Sequence, residues 1–283
     1  MVRTVIVAFA SFALVLSAGA ASRNADDRQP LSYGSDPLQE VDYWAGPSPD
    51  SPLVVFVHGG GWSRGDKRMM WRSDKLEHWR AQGYAVASVN YRLVPEATVE
   101  QQAADIAAAL AHLKARSGPL GFDPERIALV GHSAGAHLVA LIGTDPVHLQ
   151  SAGLSFADID GVVPLDGAAY DVAQQLDEGP RIMERTYRQA FGQDPARQQR
   201  LSPTAQAPAP NAAAFLILHV QRPDGIKQSE ALGAALRRGG TPAEVRGFAG
   251  TGLSGHAAIN RRLGDPDYPA TPVLDAFLER VFS

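Results

Sequence analysis

The chain has 283 residues, with 26 Lys or Arg against 30 Asp or Glu, a formal net charge of −4 and no cysteine. That composition excludes disulfides, Cys-ligated metal sites and a lipid-modified N-terminal cysteine, and the absence of a basic stripe or arginine-rich arm argues against nucleic acid as a partner. With 45% hydrophobic residues, the length suits one α/β domain able to bury a large core without cross-links.

The first 20 residues have the pattern of a secretory signal: Arg3, an apolar run over 4–16, then Ser17-Ala18-Gly19-Ala20, with cleavage expected after Ala20. The apolar part is short for the ~30 Å of bilayer hydrocarbon, and no later stretch reaches that length, so the chain is expected to be secreted or periplasmic without a stable membrane span. Without Arg3 the balance is 25 basic residues against 30 acidic, about −5. The polar residues 21–32 are expected to be a loose lead.

Leu53-Val54-Val55-Phe56-Val57 is a continuous apolar run before a glycine cluster, the pattern of a strand buried on both faces. Helical spacing over 70–82 ends at Gly83, and 84–89 predicts a second buried strand. Residues 99–116 are alanine-rich and predict a helix ended by Ser117-Gly118-Pro119. A strand over 126–130 and a helix over 136–142 follow, then strands over 159–165 and 215–220, a helix over 228–238, a strand over 243–248 and a closing helix over 273–282. Pro164 weakens the end of its strand. Alternating strands and helices with apolar strands predict an α/β fold, a mostly parallel central sheet with helices on both faces. Between Asp166 and Asn211 the alternation breaks down, which predicts a small cap insertion at about 167–211 with a helix over 181–191.

Two glycine motifs carry the chemistry. Gly131-His132-Ser133-Ala134-Gly135 lies between a predicted strand and a predicted helix. A sharp turn there lifts the Ser133 hydroxyl above the strand end, and small neighbours are required for it; Ser133 is the candidate nucleophile. His58-Gly59-Gly60-Gly61-Trp62 follows the first buried strand. Backbone N–H groups of Gly60 and Gly61, joined by that of Ala134, can face a tetrahedral oxyanion, each contributing ~3 kcal/mol. Trp62 is a candidate substrate-binding residue, with Trp71 and Tyr170 as further aromatics that could line a pocket.

Spaced some 70 residues apart, these motifs resemble the α/β-hydrolase fold, and within it the carboxylesterases related to hormone-sensitive lipase and the arylformamidases. Gly65-Asp66-Lys67, Asn90-Tyr91-Arg92-Leu93 and Asp123-Pro124-Glu125-Arg126 add to the likeness. The resemblance implies a Ser, Asp, His triad in that chain order and no metal or organic cofactor. Beyond His219 the one histidine is His256, placed after the last strand in a glycine-rich loop and expected to be the base. Asp224, just past the strand over 215–220, is the expected acid, with Asp166 as fallback and Glu230 a poorer one. The resemblance also gives His58 a role in bracing the glycine loop. The implied activity is hydrolysis of a small-molecule carboxylic ester through an acyl-enzyme. The alternatives are an arylformamidase, or a non-catalytic binding protein on the same fold.

Overall fold

A computed structural model describes residues 27–208 and 210–283; the signal segment expected over 1–20 lies outside the described residues. The strands are β1 (Gln29–Ser32), β2 (Glu40–Trp44), β3 (Leu53–Val57), β4 (Ala85–Val89), β5 (Ile127–His132), β6 (Gly161–Leu165), β7 (Phe215–Gln221) and β8 (Ala243–Thr251). They form one sheet in the order β1-β2-β4-β3-β5-β6-β7-β8. From β4 to β8 all neighbours pair in parallel, while β2 pairs antiparallel with both β1 and β4. The mostly parallel sheet is as expected. The edge pair β1–β2 was not, and β1 takes up the end of the segment expected to be a loose lead.

Strand side chains alternate between two cores, because successive Cβ atoms point to opposite faces. On β3, Leu53, Val55 and Val57 enter one cluster, and Val54 and Phe56 the other. Both faces must therefore be covered, and helices cover them. In chain order these are α1 (Lys75–Ala81), α2 (Val99–Lys114), α3 (Ser117–Leu120), α4 (Ala134–Thr144), α5 (Pro146–Ser151), α6 (Val172–Glu178), α7 (Glu184–Phe191), α8 (Pro195–Arg200), α9 (Pro203–Gln206), α10 (Pro223–Arg238), α11 (Gly252–Arg262) and α12 (Ala270–Val281). The first core takes residues of α2, α4, α7 and α10, and the second those of α1, α11 and α12. No helix among the described residues is long and apolar enough to cross a membrane.

Local chemistry sets the helix ends. Thr98 and Gln101 form a reciprocal capping box at the start of α2, and Pro146, Pro195 and Pro223 open their helices. The helix expected over 70–82 begins instead as a 3-10 turn, Lys67–Arg72, and breaks at extended Ser73 before α1. Between β6 and β7 lie α6 to α9 and a short 3-10 turn, Arg181–Met183. Tyr187, Ala190, Phe191 and Leu201 from that segment join the first core, so it is packed down onto the sheet layer.

Candidate active site

Ser133 sits between β5 and α4 with φ 57° and ψ −117°, a conformation disfavoured for any residue with a side chain. Two close approaches hold it. A Cβ on Gly131 would stand 2.2 Å from the Gly135 carbonyl oxygen, and one on Gly135 would stand 2.2 Å from the Val57 carbonyl oxygen. The elbow is pinned to the sheet where the Ser133 N–H donates to the Leu165 carbonyl at 3.1 Å.

Asp166 follows β6 directly, again at positive φ (46°). Its N–H donates to the Leu218 carbonyl at 2.7 Å, and its Oδ1 accepts from the Val220 N–H at 3.1 Å, so the carboxylate is turned across the end of β7. Its Oδ2 accepts from His256 Nδ1 at 2.6 Å. Burial alone would raise the Asp166 pKa; the His256 hydrogen bond and the nearby Arg222 charge outweigh it and hold the carboxyl down at about 2.

The carboxylate on His256 is therefore Asp166 and not Asp224. With β7 running to Gln221 and Pro223 opening α10, Asp224 falls in the first turn of a helix. There its Oδ2 accepts from Gln175 Nε2 at 3.1 Å and from Arg222 Nη1 at 3.5 Å. Glu230 is an exposed residue further along α10. The overlooked sequence signal was Arg222, a cation beside the expected acid that itself needs a carboxylate. His256 stands on α11, where a glycine-rich loop was expected.

Around His256 the packing is close. The His132 ring lies 4.4 Å from its ring, centroid to centroid, and His132 Nε2 donates to the His256 carbonyl at 3.0 Å. Burial first, then the neighbouring His256, pushes the His132 pKa well down, so that ring stays neutral. The buried Lys75 side chain donates to both the carbonyl and the side-chain oxygen of Asn260, one turn beyond His256.

Ser133, Asp166 and His256 line one cavity of about 280 Å³, together with Gly61, Trp62, Ala134 and Asp224. Gly60 is not on its wall: its φ is 133°, and its carbonyl accepts from Arg64 N at 3.2 Å in the turn that shapes the loop. His58 donates from Nδ1 to the Gly59 carbonyl at 2.8 Å and stacks on Tyr91 at 4.4 Å, bracing the glycine loop. Trp62 is mostly core. It packs edge-on to Phe191 at 4.8 Å and Tyr187 at 6.0 Å, and its Nε1 donates to His137 Nδ1 at 3.4 Å. Of the other aromatics, Trp71 bonds Asp42 at 3.0 Å and Tyr170 is fully buried; neither lines the cavity. Its rim carries Ile182 and Leu253, 82% and 70% exposed.

The chain is similar to known proteins in sequence and in fold. Esterase LipC of Mycobacterium tuberculosis is 30% identical over 206 residues, covering 69% of this chain and 51% of that protein. Isoprenylcysteine alpha-carbonyl methylesterase ICME of Arabidopsis thaliana is 33% identical over 115 residues, 40% of this chain and 26% of that protein. The chain thus spans about half the length, or less, of the curated relatives it matches. Among solved structures, esterase B from Lactobacillus rhamnosis superposes with a TM-score of 0.73 at 22% identity, covering 91% of this chain and 85% of that one. Butyrate-bound esterase 2 of Thermogutta terrifontis does so with 0.72 at 21% identity, over 90% and 94%. The shared architecture is the α/β-hydrolase fold. Because residues 44–235, more than half of the chain, match the BD-FAE family, the chain belongs to that family.

Proposed function

We propose that the chain is a serine hydrolase that cleaves carboxylic esters through an acyl-enzyme, with Ser133 as nucleophile, His256 as base and Asp166 as the acid that orients it. The observation that carries this reading is the 2.6 Å contact between Asp166 Oδ2 and His256 Nδ1, in a cavity that Ser133 also lines. With Nδ1 engaged, Nε2 is the nitrogen left to take the Ser133 proton and pass it to the leaving alcohol. Asp166 fixes the tautomer and offsets the imidazolium charge as it forms. The oxyanion is met by the N–H groups of Gly61 and Ala134, with that of Gly60 next in the loop. Water activated by His256 then releases the acid. The named relatives and neighbours are esterases, which favours an ester over an N-formyl aromatic amine. The leader pattern over residues 1–20 supports a secreted or periplasmic location.

The test is turnover of p-nitrophenyl acetate and butyrate against N-formylkynurenine, with fluorophosphonate labelling of wild type and Ser133→Ala. Ester turnover with labelling lost in Ser133→Ala is expected. Faster N-formylkynurenine hydrolysis would move the reading to an arylformamidase, and a wild-type protein that is not labelled would leave a binding shell.

A further inference from the structure

Arg222 occupies the junction between β7 and α10, lines the cavity, and has a side chain only 13% exposed. Its Nε donates to Asp166 Oδ2 at 3.0 Å, the same oxygen that holds His256 Nδ1. Its Nη2 donates to the carbonyls of Asp166 at 3.3 Å and Gly167 at 3.0 Å. Its Nη1 reaches Asp224 Oδ2 at 3.5 Å, and Asp224 is held in turn by Gln175 on α6. One planar guanidinium therefore grips both the carboxylate and the backbone of a residue at positive φ. Lysine, a point charge on a flexible stem, cannot reproduce that fork.

We propose that Arg222 is a positioning residue that acts through Asp166: it holds the carboxylate that fixes the orientation of His256, and Asp224 is the counter-charge that holds the guanidinium. This rests on the triad reading above. Arg222 Nε and His256 Nδ1 donate to the same carboxylate oxygen, so without the guanidinium the carboxylate is free to turn away from the ring it orients. The other groups facing the pair are His132, kept neutral by burial; Lys75, which burial lowers to about 7 and whose charge acts on His132; and Tyr170, Tyr187 and Tyr268, whose phenols burial raises and so keeps neutral. Substituting Arg222 leaves all of them in place.

The experiment reads the NMR resonance of the His256 Nδ1 proton, which needs no substrate and reports its contact with Asp166, alongside kcat and KM for p-nitrophenyl butyrate per fluorophosphonate-titrated site. Arg222→Gln is expected to move or broaden that resonance and to lower kcat by about 10- to 100-fold with KM little changed. Arg222→Lys keeps the charge but not the fork, so kcat still falls. Asp224→Asn strips the counter-charge and lowers kcat in the same direction, with a far smaller loss than Asp166→Asn. The proposal is overturned if Arg222→Gln leaves the Nδ1 resonance unmoved and kcat within about twofold, or if Arg222→Lys matches wild type in both. Should Arg222→Gln not fold, Arg222→Lys and Asp224→Asn decide through the same readouts. If Asp166→Asn keeps near-wild-type turnover, the triad reading fails instead.

Discussion

At Ser133 the main chain occupies a conformation that costs of order 1–3 kcal/mol, and the surrounding residues must enforce it. Gly135 does so by letting α4 approach the end of β3 to within contact of the Val57 carbonyl. Because the obstructing atom is backbone within a central strand, an added methyl group cannot be accommodated by a rotamer change. Gly135→Ala is therefore expected to destabilise the fold by about 3 kcal/mol, a drop of about 6–12 °C in Tm; wild-type Tm with unchanged kcat would contradict the close approach. Asp166 works differently, since its carboxylate contributes orientation and charge to His256. Asp166→Asn should lower kcat by about 10⁴-fold with circular dichroism unchanged, and His256→Ala should abolish turnover.

The cap helix α7 is tied into the catalytic layer rather than laid over it. Phe191 and Tyr187 pack on Trp62, the residue after Gly61, and the Trp62 indole bonds His137, whose Nε2 donates to the Leu201 carbonyl at 2.8 Å. The rim is free of such ties: Ile182 and Leu253 are largely exposed, and their apolar surface is available to an acyl or alcohol chain. Replacing either with Ser should leave Tm within about 2 °C, while kcat/KM falls more for a hexanoyl than for an acetyl ester, since each buried methylene contributes about 0.8 kcal/mol. Equal losses on both esters would exclude the rim from binding. At this scale the buried strands β3, β4, β5 and β7 were legible as apolar runs, and both glycine motifs marked their turns. What stayed hidden has physical causes. Helix α11 contains Gly252 and Gly255, which lower helix propensity; the packing of Ile259 into the second core and the Lys75 contacts with Asn260 hold it regardless. The strand Gln29–Ser32 is a four-residue edge with mostly exposed side chains, too short for a periodic signal. Asp166 stood only as the fallback because its role depends on a left-handed turn that no pattern along the chain displays, and on a pairing with Arg222 that only the fold brings about.

Across the whole molecule, the site is underlain by imidazoles that the fold keeps neutral. Burial pushes His58 and His137 each down to about 4, and His132 well below the ordinary value. A folded pKa below the unfolded one means that the unfolded chain binds more protons between about pH 4 and pH 6.5, so stability rises with pH across that window and is lost as pH falls through it. Each such histidine contributes up to about 1.4 kcal/mol per pH unit there. His58 and His137 together should lower the unfolding free energy by about 3–4 kcal/mol between pH 7 and pH 5. Asp166 acts in a lower window with the other origin: its carboxyl is held at about 2 when folded, so its stabilisation is present above the ordinary carboxylate range near 4 and disappears as pH falls towards 2. Acid should thus act on this protein twice, by a loss of turnover that reverses in the folded state and by unfolding as the buried imidazoles charge. Urea denaturation at pH 7, 6 and 5, run beside kcat/KM measurements with return to pH 7, separates the two. An unfolding free energy at pH 5 within about 1 kcal/mol of its pH 7 value would mean that His58 and His137 titrate in the folded protein and that their burial is relieved by motions the packing around Tyr91 and Trp62 does not suggest.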